Sequence, residues 1–247
     1  MTLNFLHYKD LPLKNSPLRE VICQISFAPL LEIVQKLPTD FQSKIRNRFP
    51  MFAVRQTVGL DTSQPLPSEY EFKSASDKSS VSLAFNFIAL STREYSHWDI
   101  FREQSENLLE IFSNVYGKIL MTRIGLRYIN QFSYDNTKLK GPDELLSILN
   151  DDLSCLLLNS AWSLPQKAYY QLSLEEEKDE LTIRLNFNRD PDTKIILDFD
   201  YFTVLETPLD MDVNSIIDIL VKFHTNCYDV FRWSIRDEKI GLLQPIQ

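Results

Sequence analysis

The chain has 247 residues, 44% of them hydrophobic and 24% charged, with a formal net charge of −8. That is the composition of an ordinary globular chain, long enough to bury a substantial core without disulfides or structural metals. The acidic balance argues against nonspecific nucleic-acid binding, which draws most of its affinity from counterion release at a large basic surface, and no nucleic-acid-binding motif offsets it.

Residues 17–27, PLREVICQISF, alternate as a strand: Val21, Cys23, Ile25 and Phe27 face one way, Glu20, Gln24 and Ser26 the other. Residues 28–49 change to helical spacing, with Leu31, Val34, Phe41, Ile45 and Phe49 apolar and Pro38 interrupting. Residues 59–68, GLDTSQPLPS, are loop by composition. Residues 70–73 and 81–92 read as a strand pair joined through the polar SASDKSS. Residues 98–116 form a helix with Phe101, Leu108, Phe112 and Val115 inward, and Gly117 is placed to end it. Residues 122–132, TRIGLRYINQF, follow as a strand. Gly141-Pro142 opens another helix carrying Leu145, Leu149, Leu153 and Leu156. Residues 169–174 and 181–187 flank the acidic EEEKDE, a hairpin with a solvated tip. Residues 194–205, KIILDFDYFTVL, make a long strand, and residues 212–231 the last helix.

Strands interrupted by single helices, without regular βαβ alternation, predict an α+β fold with a mainly antiparallel sheet and helices packed on one side. The order helix, strands, helix occurs twice. The chain is therefore expected to be a single compact unit of 247 residues, with two pseudo-repeated halves, 1–135 and 136–247, as an alternative description. The cysteines at 23, 155 and 227 are odd in number and widely spaced. They form neither a disulfide framework nor a zinc site, and they suit a reducing cytosol. The first residues lack a secretion signal, and the apolar runs are too short to span a bilayer, so a cytoplasmic protein without membrane association is expected.

Few familiar chemistries fit. The five glycines are scattered, which excludes a P-loop and a dinucleotide fingerprint, both of which need clustered glycines. No G-x-S-x-G, H-E-x-x-H or C-x-x-C is present. His224 lies on the apolar stripe of the last helix and reads as a satisfied core histidine. A nucleophile pair with Cys227 at i, i+3 is the competing reading, against which burial counts. His97 stands at a helix entrance, and His7 is expected to be exposed.

Asp198 and Asp200 share a strand face with Lys194. Two acids at i, i+2 lie roughly 7 Å apart along a strand, a spacing that suits either a divalent cation with a third ligand or ion pairs from a neighbouring strand. A metal-dependent hydrolase, specifically a nuclease using Mg²⁺, is one functional reading. Loose (D/E)-x-K matches at Asp61 with Glu71-x-Lys73, and around Asp190 and Asp192-x-Lys194, belong to it.

The other reading starts from TRIGLRYINQF. Arg123, Arg127 and Gln131 share one face with Gly125, whose missing side chain leaves room for close approach to the backbone. Paired arginines suit a carboxylate or phosphate better than lysines do. This face, with Glu20 from the first strand, is the candidate ligand-binding set of a non-enzymatic binding protein. It needs no cofactor, and its partner is an acidic small molecule or protein segment. Ion pairs from the arginines to Glu20, Asp198 or Asp200, fixing strand register, are the structural alternative.

The segments SPLREV (16–21), GLRYIN (125–130) and VFRWSI (230–235) resemble landmarks of a sporadically distributed bacterial family of uncharacterised proteins of about this length. The resemblance covers nearly the whole chain. It implies a bacterial, full-length single unit, and its sporadic distribution suggests an accessory gene of a mobile or defence-linked locus. It marks Glu20, Arg127, Tyr128 and Asn130 as landmark positions without assigning them a role.

Overall fold

The structure, a computed structural model, describes residues 4–55, 69–189 and 192–246. The loop read at residues 59–68 and the acids Asp61 and Asp190 lie outside the described residues. The strands are β1 (Leu18–Phe27), β2 (Met51–Arg55), β3 (Glu69–Lys73), β4 (Ser79–Ala84), β5 (Phe87–Thr92), β6 (Leu120–Ser133), β7 (Lys167–Glu176), β8 (Asp179–Asn188) and β9 (Lys194–Asp210). They form one nine-stranded antiparallel sheet in the order β2-β3-β4-β5-β1-β6-β9-β8-β7. The helices are α1 (Leu31–Gln35), α2 (Thr39–Ile45), α3 (Trp98–Tyr116), α4 (Tyr134–Thr137), α5 (Pro142–Leu146), α6 (Asp151–Ser154) and α7 (Val213–Ser234), and a 3₁₀ segment, Asp237–Leu243, follows α7. The fold is α+β, as the strand and helix periodicities predict.

Two units divide the chain, each built from separate stretches. Unit 1 takes Met1–Arg19, Arg127–Tyr201 and Lys222–Gln247; unit 2 takes Glu20–Leu126 and Phe202–Val221.

In unit 2 the alternation of β1 buries Val21, Cys23, Ile25 and Phe27. Its partner β5 aligns Leu90 with Cys23 and Ile88 with Ile25, so one continuous apolar layer forms. Helix α3 supplies the opposing surface through Phe101, Leu108, Leu109 and Phe112, and Phe112 meets Phe27 at 5.1 Å between ring centroids. His97 caps the start of α3 by accepting from the Asp99 N–H at 3.3 Å. Gly117 ends it at φ +73°, a backbone that favours glycine.

Three local readings change here. The stretch 28–49 holds two short helices; Ile33, Phe41 and Ile45 on them and Phe49 after the second are buried, whereas Leu31 is 65% and Val34 46% exposed. The run 81–92 is itself a hairpin, with Ala84 opposite Phe87. Alternating apolar residues continue through its turn, so hydrophobicity alone gave no break. Met51–Arg55, left unassigned by its sequence, is the strand β2 at the end of the strand order.

In unit 1 the apolar faces are Leu181, Ile183, Leu185 and Phe187 of β8 and Ile195, Leu197, Phe199 and Tyr201 of β9, all buried. Phe223 of α7 packs on Tyr201 at 4.7 Å. The helix expected after Gly141-Pro142 is two pieces, α5 and α6, with Asn150 capping the second through the Leu153 N–H. Leu145, Leu149 and Leu153 are buried, but Leu156 is 51% exposed. The hairpin tip differs too: Asp179 is buried, and its carboxylate holds Lys222 Nζ at 2.8 Å.

Candidate functional site

The sequence singled out the polar face of β6, and in unit 1 that face is a ladder of charges. Asp198 on β9 is only 6% exposed. Arg127 donates to it twice, Nε to Oδ1 at 2.7 Å and Nη2 to Oδ2 at 2.6 Å. Arg184 on β8 donates to the same Oδ2 at 3.4 Å and through its Nε to Gln171 of β7 at 3.3 Å. Since β9 lies between β6 and β8 in the strand order, one acid on the middle strand is held by an arginine from each neighbour. The ion-pair alternative is thus realised for Arg127. A carboxylate engaged by two guanidiniums is a poor start for a cation site. Among the described residues no group of three or more His, Cys, Asp or Glu side chains is placed to hold a metal ion.

Arg123 and Gly125 belong to unit 2, and they explain each other. The Arg123 guanidinium lies over the Phe202 ring at 4.3 Å. A Cβ built on Gly125 would come 2.5 Å from Arg123 Nη1 and 3.0 Å from its Cζ. The space opened by the missing side chain is therefore filled by the arginine two residues before it. Gln131, in unit 1, contributes through its backbone: its N–H donates to the Pro17 carbonyl at 2.7 Å, and its carbonyl accepts from Asn136 Nδ2 at 2.7 Å.

Glu20 stands in different company. It lines a polar trough in unit 2, with a cavity volume of about 330 Å³, together with Arg55, Glu71, Lys73, Asp77, Lys78, Arg93 and the serines 79, 80 and 91. Strand register accounts for the depression. Ser80 faces Ser91 across β4 and β5, with Lys73 opposite Ser80 on β3 and Ile22 opposite Ser91 on β1. Small hydroxyl side chains thus occupy the middle strands, while long charged ones rise on either side. Ser80 and Ser91 are joined by a 2.9 Å hydrogen bond, and Ser79 and Thr92 by one of 2.8 Å.

The charges of the trough form a short network. Glu71, 6% exposed, accepts from Arg55 at 2.7 Å and has Lys73 Nζ at 3.6 Å. Lys73 also reaches Asp77 at 3.0 Å, and Lys78 reaches Glu94 at 2.9 Å. The hydrogen bond from Lys73 holds the Asp77 carboxyl below its ordinary pKa, and Asp77 in turn raises that of Lys73, so both stay charged. Of these residues the sequence pointed to Glu20, Glu71 and Lys73. Arg55, Lys78 and Arg93 were missed, although the serine alternation of 80 and 82 against Val81 and Leu83 was a readable sign of a small-residue face.

The histidine–cysteine pair of α7 resolves as structure. His224 is buried, with Nδ1 2.8 Å from the Tyr128 hydroxyl and Nε2 2.9 Å from Asp10 Oδ2. A carboxylate only accepts, so Nε2–H donates to Asp10, and the two contacts together fix the ring. Burial pushes the Cys227 thiol well above its ordinary pKa, and the charges of Asp200 and Asp198 add to the shift. That thiol is the opposite of an activated nucleophile.

No described helix is long and apolar enough to cross a membrane. No family model matches the chain, and no curated protein is similar to it at a significant level.

Proposed function

We propose that the protein is a binding protein for a small anionic ligand, one carrying a carboxylate or phosphate, seated in the serine-floored trough of unit 2. One observation carries this reading. Arg55, Lys73, Lys78 and Arg93 converge on a single depression in a chain whose net charge is −8. Lysine has three donors and arginine five, so each keeps N–H groups to offer beyond its present partners. In a hydrogen-bonded serine pair one hydroxyl donates to the other, which leaves the second hydrogen for a ligand oxygen. Arg127 already spends two donors on Asp198, and Arg123 lies over Phe202, so the trough supports the acidic-ligand reading better than β6 does.

Calorimetric titration with inorganic phosphate and with pentanedioate tests the proposal. At least one should bind the native protein, and Lys73→Ala or Arg93→Ala should weaken it about tenfold, the loss of roughly one charge-assisted contact. Affinity should also fall as salt rises, because water reaches both side chains, Arg93 more than Lys73. Absence of binding by either anion at millimolar concentration, or binding indifferent to both substitutions, overturns it.

A further inference from the structure

We infer that the ligand of the trough is zwitterionic, with its anionic end on Arg55 of β2, Lys73 of β3 and Lys78 beside it, and a cationic end on Glu20. This rests on the trough being the binding site. The acids of the trough are not equivalent. Glu71 is committed to Arg55 and Lys73, and Asp77 to Lys73 and Arg93. Glu20, half-buried on β1 at the opposite wall, has no ion pair or hydrogen bond from its carboxylate among the described residues. A carboxylate facing a cavity with no cation of its own repels a purely anionic ligand and favours one that brings an ammonium or guanidinium group.

Strand geometry limits the ligand's length. Lys73 pairs with Ser80, Ser80 with Ser91, and Ser91 with Ile22, two residues from Glu20. Three interstrand spacings put the two walls roughly 14 Å apart at the backbone, and side chains reaching in from each side leave about 5–8 Å between the ligand's charges. An ω-amino carboxylate or a short peptide with free termini has that separation, with the serine hydroxyls beneath its middle.

Two probes of equal length separate this inference from the anion reading: 5-aminopentanoate, with one charge of each sign, and pentanedioate, with two negative charges. The native protein should bind 5-aminopentanoate at least tenfold more tightly. Glu20→Gln should weaken 5-aminopentanoate by about tenfold and leave pentanedioate unchanged or tighter. Lys73→Ala should weaken both. If pentanedioate binds the native protein as well as 5-aminopentanoate does, or Glu20→Gln leaves 5-aminopentanoate unaffected, the zwitterion is excluded while the anion site stands. If neither probe binds but inorganic phosphate does, the zwitterion alone falls; if none of the three binds, both fall. The comparison between probes on the native protein needs no variant, so a folding defect in Glu20→Gln cannot mask the answer.

Discussion

Arg127 and Asp198 meet side-on across neighbouring strands, joined by two hydrogen bonds of 2.7 and 2.6 Å between a guanidinium and a buried carboxylate. Removing one partner of a buried ion pair typically costs roughly 3–5 kcal/mol. Two facts reduce that here: Arg184 stays within 3.4 Å of the acid, and the Arg127 side chain is 39% exposed. Arg127→Ala should therefore destabilise by roughly 1–3 kcal/mol, and adding Asp198→Asn should recover most of the loss. Urea denaturation of the single and double variants measures it. An unchanged midpoint for Arg127→Ala would show that the pair contributes nothing.

The packing of Arg123 over Gly125 makes a prediction that differs between two backgrounds. Alanine in a strand is better than glycine by roughly 0.5–1 kcal/mol, but in the native protein its Cβ displaces a guanidinium held over Phe202. That cation–π contact is worth about 0.5–1 kcal/mol at an exposed site. Gly125→Ala should thus be near neutral alone and stabilising once Arg123→Ala is present. Strict additivity of the two melting-temperature changes would contradict the contact.

The buried thiols and phenols predict a loss of stability in alkali. Burial raises Cys23 from 9.0 to about 12, against a smaller opposing hydrogen bond from Ser105. Cys227, Tyr116 and Tyr201 are raised as well, each chiefly by desolvation. A folded pKa above the unfolded one means that the unfolded chain sheds its proton first. The stabilisation is complete below about pH 9 and is lost as pH rises toward 12. Each such group steepens the fall by about 1.4 kcal/mol per pH unit within its window. Unfolding midpoints at pH 9, 10 and 11 should decline, and Cys23→Ala should flatten the slope. In the native state at pH 8 iodoacetamide should modify Cys155, which is exposed, and spare the other two.

Lys222 secures the tip of the β7–β8 hairpin. Its ammonium lies 2.8 Å from the buried Asp179 and 3.7 Å from Glu176, which also accepts from the Tyr201 hydroxyl. Lys222→Met leaves these acids without that cation. A loss of about 2 kcal/mol is expected, below the full buried-pair value because water reaches the lysine. Asp179→Asn in the same chain should restore part of it. Equal stability of Lys222→Met and the native protein would count against the cluster.

The sequence by itself determined which residues face inward on the long elements. The period-2 pattern of residues 17–27 and 194–205 and the helical stripe of residues 98–116 reappear as β1, β9 and α3, because burial of one face dominates where a pattern runs over many residues. Short elements escaped it: α1, α2, α5 and α6 have seven residues or fewer, too few turns for periodicity to assign a face, and tertiary packing chose Ile33 over Leu31. It also marked the charged residues of β6, but not what they meet. Only strand order brought Arg184 and Arg127 to Asp198 from either side. Only register set Ser80 against Ser91 and so hollowed the trough beside Glu20. A charge is a property of one residue, whereas its partner is a property of neighbouring strands distant in sequence, and that pairing exists only once the sheet has formed.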